Sequence, residues 1–183
     1  MKNAALLVID IQRGAFDGER IPRIDRAETL VESATALIDA ARTGGTPIVF
    51  IQHCDGAGDV FEEGSPHWEL HEALAPRPGD EILKKYASSA FEGTNLGARL
   101  ERIDVNELVL CGLQSEFCIS NTATSALAKG FSVLIAQDGH CTWPSKTESA
   151  VAICRRVNDD LKARGAALAS TSALVGSLRE PRT

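Results

Sequence analysis

The feature that most constrains the fold is an alternation carried along the whole chain, in which short aliphatic runs are separated by segments with helical spacing. The first run, Ala4–Ile9, is continuously apolar and stops at Asp10, as expected of a parallel strand buried on both faces. From Asp25, read as an N-cap, to Thr43 the residues Leu30, Val31, Ala34, Leu37, Ile38 and Ala41 recur at helical spacing, and Gly44-Gly45 closes the segment. Pro47–Ile51 is a second β-branched run. Further strands are expected at Glu81–Lys84, Glu107–Cys111, Phe131–Ala136 and, last, Ala166–Ser170, with helices at Leu96–Ile103, Phe117–Lys129 and Thr147–Ala163.

Strands alternating with helices predict an α/β fold of three layers, a mostly parallel six-stranded sheet covered by helices on both faces. At 183 residues the chain is read as one domain over residues 1–179, with 180–183 as a loose tail. Ligands of such sheets bind beyond the carboxyl ends of the strands, and the polar candidates fall there: Asp10 after the first strand, His53 and Asp55 after the second, Lys85 after the third, Cys118 after the fourth. The exception to short connections is Gln52–Asp80, a Gly- and Pro-rich stretch holding three of the four histidines, and loops this long usually carry function.

Charge narrows the partners. The net charge of −6 leaves no basic stripe to neutralise a phosphate backbone, so nucleic acid is not expected and a small-molecule substrate is. The longest apolar run is far short of the ~20 residues of a membrane span. It also lacks a signal peptide's length and cleavage site, so no membrane association is expected and a cytoplasmic location is. Five cysteines without a C-x-x-C pair suggest neither a disulfide framework nor a cysteine zinc site.

Cys118 stands out among them. It follows a buried strand and a Gly112-led turn, in the first turn of a helix, where the dipole's positive end would lower a thiol's pKa and free N–H groups could hold an oxyanion. Taken alone it reads more readily as a small core hydrophobe than as a nucleophile, Cys111 and Cys154 read as core inside their elements, and Cys54 reads as a bystander in the long loop. Its base could be His140, just after the fifth strand, or Asp10, since a partly buried carboxylate ending a central strand can accept a thiol proton. A lysine beside the pair would stabilise the ions formed. Lys85 can fill that place if the third strand neighbours the first, and Lys84 next to it is a rival.

Three stretches in order carry a resemblance. Leu7-Val8-Ile9-Asp10-Ile11-Gln12, then Lys85-Tyr86-Ala87-Ser88-Ser89-Ala90-Phe91 with Gly93-Thr94-Asn95-Leu96, then Gly112-Leu113-Gln114-Ser115-Glu116-Phe117-Cys118 resemble the motifs of the isochorismatase-like cysteine hydrolases. That family includes nicotinamidases, N-carbamoylsarcosine amidases, ureidoacrylate amidases and isochorismatase. The resemblance implies a triad of Asp10, Lys85 and Cys118, with the spacing to Ser89-Ala90-Phe91 selecting Lys85 over Lys84. It also implies a cis peptide before Gln114 and an oxyanion hole made by the N–H groups of Gln114 and Cys118. No cofactor is implied, and loops around residues 52–80 and 139–146, often with a neighbouring subunit, would set specificity, so a homo-oligomer is expected.

The sequence departs from the pattern in three places. Ser115 stands where Thr is common, Phe16 lies one residue late, and His53-Cys54-Asp55 reverses the Asp-x-His metal motif of nicotinamidases, which argues against that activity. His53, Asp55, His67 and His71 could in principle gather a metal, but the expectation is no metal site, with these residues serving substrate contact and loop packing. The expected substrate contacts are Phe16, His53, Trp68, Phe91 and Phe117, with Phe61 and Tyr86 as further aromatic candidates.

The expected reaction is hydrolysis of a small amide or carbamoyl C–N bond through a Cys118 acyl-enzyme, with Asp10 as general base and acid and Lys85 as electrostatic partner. Two alternatives stand beside it: vinyl ether hydrolysis begun by protonation from Asp10, and a non-catalytic oligomeric scaffold.

Overall fold

A computed structural model of the chain describes residues 3–180. Six strands form one sheet in the order β3-β2-β1-β4-β5-β6, and every neighbouring pair is parallel. They are β1 Ala4–Ile9, β2 Ile48–His53, β3 Glu81–Lys85, β4 Glu107–Leu113, β5 Ser132–Cys141 and β6 Ala167–Ala169. The helices are α1 Ala27–Gly44, α2 Leu96–Arg102, α3 Ser120–Ala128, α4 Ala150–Ala163 and α5 Thr171–Arg179.

The pleat of β1 explains the two covering layers. Ala5, Leu7 and Ile9 point to one face and pack with Leu96 and Leu100 of α2, Ala123 and Ala126 of α3, and Ile153, Val157 and Leu161 of α4. Leu6 and Val8 point to the other, against Leu30, Leu37 and Ile38 of α1 and Leu174 and Leu178 of α5. A central strand buried on both sides has no polar face to offer, which is why its sequence is unbroken.

Several expected boundaries move. Helix α1 is not capped by Asp25: Arg26 precedes it in a left-handed conformation, with no side-chain cap. Helix α4 begins three residues after Thr147, at Ala150. Ser145 folds a turn back onto Glu148 through a 2.9 Å bond from the Glu148 amide, and Ser149 caps the helix by accepting from Ala152 N at 3.2 Å. The expected helix from Phe117 is two pieces, a π-helical turn Ser115–Ile119 followed by α3. Strand β5 does not stop at Ala136. After a bulge it rejoins β4, Gly112 facing His140, because Asp138 in the excursion is held by Thr171 N and Oγ1 at 2.7 and 2.8 Å.

Strand β6 is not the last element. Helix α5 follows it, capped by Ser170, which accepts from Ala173 N at 3.3 Å. It docks on α1 where Gly44 has no side chain: a Cβ there would collide with the Leu178 carbonyl oxygen. Of the expected tail, residues 181–183 lie outside the described residues. Among the described residues no helix is long and apolar enough to cross a membrane.

The long connection after β2 is tied down along its length. Residues 67–71 run back beside residues 11–14, with Arg13 N to Glu69 O, Gly14 N to His67 O and His71 N to Ile11 O at 2.8, 2.8 and 2.9 Å. Gln12, wholly buried, donates to His53 O and Trp68 O at 3.0 and 2.8 Å and accepts from His53 N at 2.8 Å. One glutamine thus fixes the ends of β1 and β2 and the returning loop together.

Candidate active site

Beyond the carboxyl ends of the central strands lies a cavity of about 300 Å3. Asp10 sits on its floor as the residue that ends β1, in the left-handed conformation at φ 53°, which turns its side chain out of the strand's alternation. Lys85 ends β3. The third strand does not neighbour the first, the condition set for Lys85 to reach the site, because β2 lies between them. The lysine's reach makes up the difference: Nζ stands 2.8 Å from Asp10 Oδ2 and 3.1 Å from Cys118 Sγ. His53, opposite Lys85 in the β2–β3 register, brings Nδ1 to 3.0 Å, and Ala87 O accepts at 3.2 Å. Lys84 points elsewhere, to Glu63 and the face of Trp68.

Four acceptors therefore surround the three protons of a fully buried ammonium. Burial alone would lower the pKa of Lys85, but the Asp10 carboxylate and Cys118 outweigh it and the net shift is upward. Lys85 is a cation here. Since it can only donate, His53 accepts at Nδ1 and carries its proton on Nε2, which donates to Asp55 Oδ1 at 2.9 Å. Asp10 Oδ1 is buried and accepts no hydrogen bond among the described residues.

The expected lowering of the Cys118 pKa is corrected. Burial and the Asp10 carboxylate push the thiol up to about 11, and Lys85 offsets only part of this. Cys118 lies in the short π turn, and withdrawing a thiolate from water beside a carboxylate costs more than one turn's dipole returns. At neutral pH the group is a thiol that needs a base.

The Leu113–Gln114 peptide is cis, as the resemblance implied. Behind this turn Ser115 bonds His140 Nδ1 at 2.8 Å and Cys154 Sγ at 3.2 Å, while His140 Nε2 lies 2.9 Å from Asn158 Oδ1. His140 is thus engaged away from Cys118 and supports the turn from behind. Ser89 and Ala90 of the second motif are bound to α3, Ser89 Oγ to Ser125 Oγ at 2.8 Å and Ala90 N to Thr122 Oγ1 at 3.0 Å.

Of the expected substrate contacts, His53 and Phe117 line the cavity and three do not. Phe16 is buried against His71, ring centroids 4.8 Å apart, because the turn at Arg13–Ala15 swings it into the α1 layer. Phe91 packs on Phe131 in the opposite core at 5.8 Å. Trp68 donates from Nε1 to Cys54 Sγ at 3.2 Å, behind β2, which also makes Cys54 a buried packing residue. The aromatic walls are instead Phe61, Tyr86, Phe117 and Trp143, and Trp143 is the member absent from the expected set, although it lies in the expected 139–146 loop.

The four residues considered for a metal do not converge. His53 and Asp55 face the cavity, His67 pairs with Asp17 at 2.8 Å, and His71 Nδ1 accepts from Ala73 N at 3.2 Å. Among the described residues the groups whose ligand atoms come together are Asp10, His53 and Cys118, and Asp17, Glu19 and His67.

Residues 4–172 match the isochorismatase domain. The chain belongs to the isochorismatase family. Within it, a streptothricin hydrolase of Streptomyces noursei is 36% identical over 76% of this chain and 50% of its own length. A maleamate amidohydrolase of Pseudomonas putida is 29% identical over 75% of this chain and 71% of its own. A solved structure, a candidate isochorismatase from Burkholderia xenovorans, superposes with a TM-score of 0.90 at 29% identity, covering 100% of this chain and 91% of that one. The chain spans about half the length of the streptothricin hydrolases it matches. The all-parallel six-stranded sheet is the isochorismatase-family fold.

Proposed function

We propose that this isochorismatase-family chain is a cysteine hydrolase that cleaves the C–N bond of a small amide or carbamoyl compound through a Cys118 acyl-enzyme. One observation carries the reading: Lys85 Nζ lies within bonding distance of both Cys118 Sγ and Asp10 Oδ2 beneath a cavity open to a small molecule. Relatives named as a streptothricin hydrolase and a maleamate amidohydrolase support a hydrolytic reaction.

Asp10 takes the thiol proton, and Sγ attacks the carbonyl carbon while Lys85 holds the charges together. The oxyanion is stabilised by the N–H groups of Gln114, at the cis peptide, and of Cys118, in the π-helical turn that follows. Asp10 returns its proton to the departing nitrogen, leaving a thioester and ammonia or an amine. It then deprotonates water, whose hydroxide displaces Cys118 and releases the carboxylic acid, and the thiol regains its proton. The thiol pKa of about 11 makes the base indispensable near neutrality.

The test is ammonia release from a panel of small amides and carbamoyl compounds by the wild type and Cys118→Ala, with thermal melting as a folding control. Loss of turnover in a folded variant is the expected result. Near-normal turnover by the variant, of a panel compound or of isochorismate followed separately by loss of its vinyl ether, would remove the thiol from the reaction and leave protonation by Asp10 as its chemistry.

A further inference from the structure

The two carboxylates lining the cavity differ in how their charge is met. That of Asp10 is answered by Lys85 at 2.8 Å, and its second oxygen, Oδ1, is buried without a hydrogen bond among the described residues. Asp55 has only neutral partners: Oδ1 accepts from the Nε2–H of a neutral His53 at 2.9 Å and Oδ2 from the Phe61 amide at 3.2 Å. No lysine or arginine is among the described residues of the cavity wall. The loop that follows Asp55 carries Asp59 and Glu62 outside the cavity wall. Arg20, reaching over it, spends its guanidinium on the carbonyls of Gly58 and Asp59, and Glu62 accepts from Gly58 N at 3.0 Å.

The remaining walls are aromatic. Phe61, Tyr86, Phe117 and Trp143 present rings to the same space, and the faces of such rings attract cations. An uncompensated carboxylate and four rings form a surface that a carboxylate-bearing molecule meets at a cost and an ammonium or guanidinium meets with a gain.

We infer that the amide taken by this site carries a positive charge, as an ammonium or guanidinium group, on the portion that lies against Asp55 and the aromatic wall. Asp55 is then the residue that determines charge specificity, and anionic amides are rejected. The inference rests on the amidohydrolase reading for its reaction, but the charge preference has a readout independent of turnover.

The probes are three benzamides alike except at the para position: aminomethyl, methyl and carboxylate. Each is titrated for protection of Cys118 against iodoacetamide and, separately, for ammonia release. The expected result is protection by the ammonium compound at concentrations roughly tenfold or more below those of the carboxylate, a gap that narrows as salt is raised. Asp55→Asn keeps an acceptor for His53 and removes the charge, so it should close the gap. If that variant fails to melt as the wild type does, the salt dependence of the wild type decides. Equal protection by all three, preference for the carboxylate, or protection by none would overturn the inference. Charge-graded protection with no ammonia from any amide would instead uphold the charge preference and count against the proposed reaction.

Discussion

Lys85 and Asp10 form an ion pair at 2.8 Å although their strands are not neighbours, the lysine reaching past β2 to the end of β1. The lysine side chain is wholly buried and the aspartate nearly so, which leaves each dependent on the other. Burying either charge alone is far costlier than burying the pair.

Lys85→Met is therefore expected to abolish turnover and to lower the unfolding free energy by about 3–5 kcal/mol, since Asp10 is left as an uncompensated buried charge. Adding Asp10→Asn should recover part of that stability without recovering activity. Urea unfolding of both variants checks this. A double variant no more stable than Lys85→Met alone would show that the pair is not what the lysine supports.

Asp10→Asn alone should separate thiol acidity from catalysis. After burial, the Asp10 carboxylate is the principal influence raising the Cys118 pKa toward about 11, whereas Lys85 lowers it. Removing the carboxylate's charge leaves the lysine unopposed, so the pH midpoint of iodoacetamide labelling should fall below that of the wild type while amide hydrolysis is lost. Labelling followed from pH 7 to 11.5 by mass spectrometry measures the midpoint, and one that stayed or rose would contradict the assigned electrostatics.

The same pKa has a consequence for stability. A folded-state thiol titrating near 11, against about 8.5 in an unfolded chain, contributes stability that is intact below pH 8.5 and is lost as pH rises toward 11. Cys111, pushed up to about 12 by burial, acts in the same direction. Melting temperature should decline over that window, and less steeply in Cys118→Ala. Equal slopes would show that Cys118 does not contribute.

Two glycines test the packing of α5. Gly44→Ala drives a Cβ into the Leu178 carbonyl at the α1–α5 contact and should destabilise the chain by about 2 kcal/mol or more, as overpacking does. Gly176→Ala, in the middle of α5 with nothing near its Cβ, should stabilise by about 0.5–1 kcal/mol through helix propensity. Thermal or urea unfolding distinguishes the two signs.

Helix α5 is also the element that the sequence pattern does not announce. Leu174 and Leu178 at one-turn spacing behind Ser170 are the available signal, but the segment is nine residues long with a glycine inside it, and its close approach to α1 depends on the missing side chain of Gly44. A contact made by the absence of a side chain leaves no pattern of its own. Phe16 and Phe91 show the same limit: both stand close in sequence to Asp10 and Lys85, yet the backbone turns both rings into the core.

The sequence by itself determined the α/β class, the parallel sheet and the order in which Asp10, Lys85 and Cys118 arrive at its carboxyl edge. Buried strands must be apolar and end where the chain meets polar groups, and that requirement is written one residue at a time. Tertiary structure alone decided that β2 stands between the aspartate and lysine strands, that His53 bonds Lys85 across the β2–β3 register, and that burial lifts the Cys118 pKa instead of lowering it. These depend on distances between groups remote in the chain and on the water excluded between them, and neither quantity exists until the sheet has closed around the site.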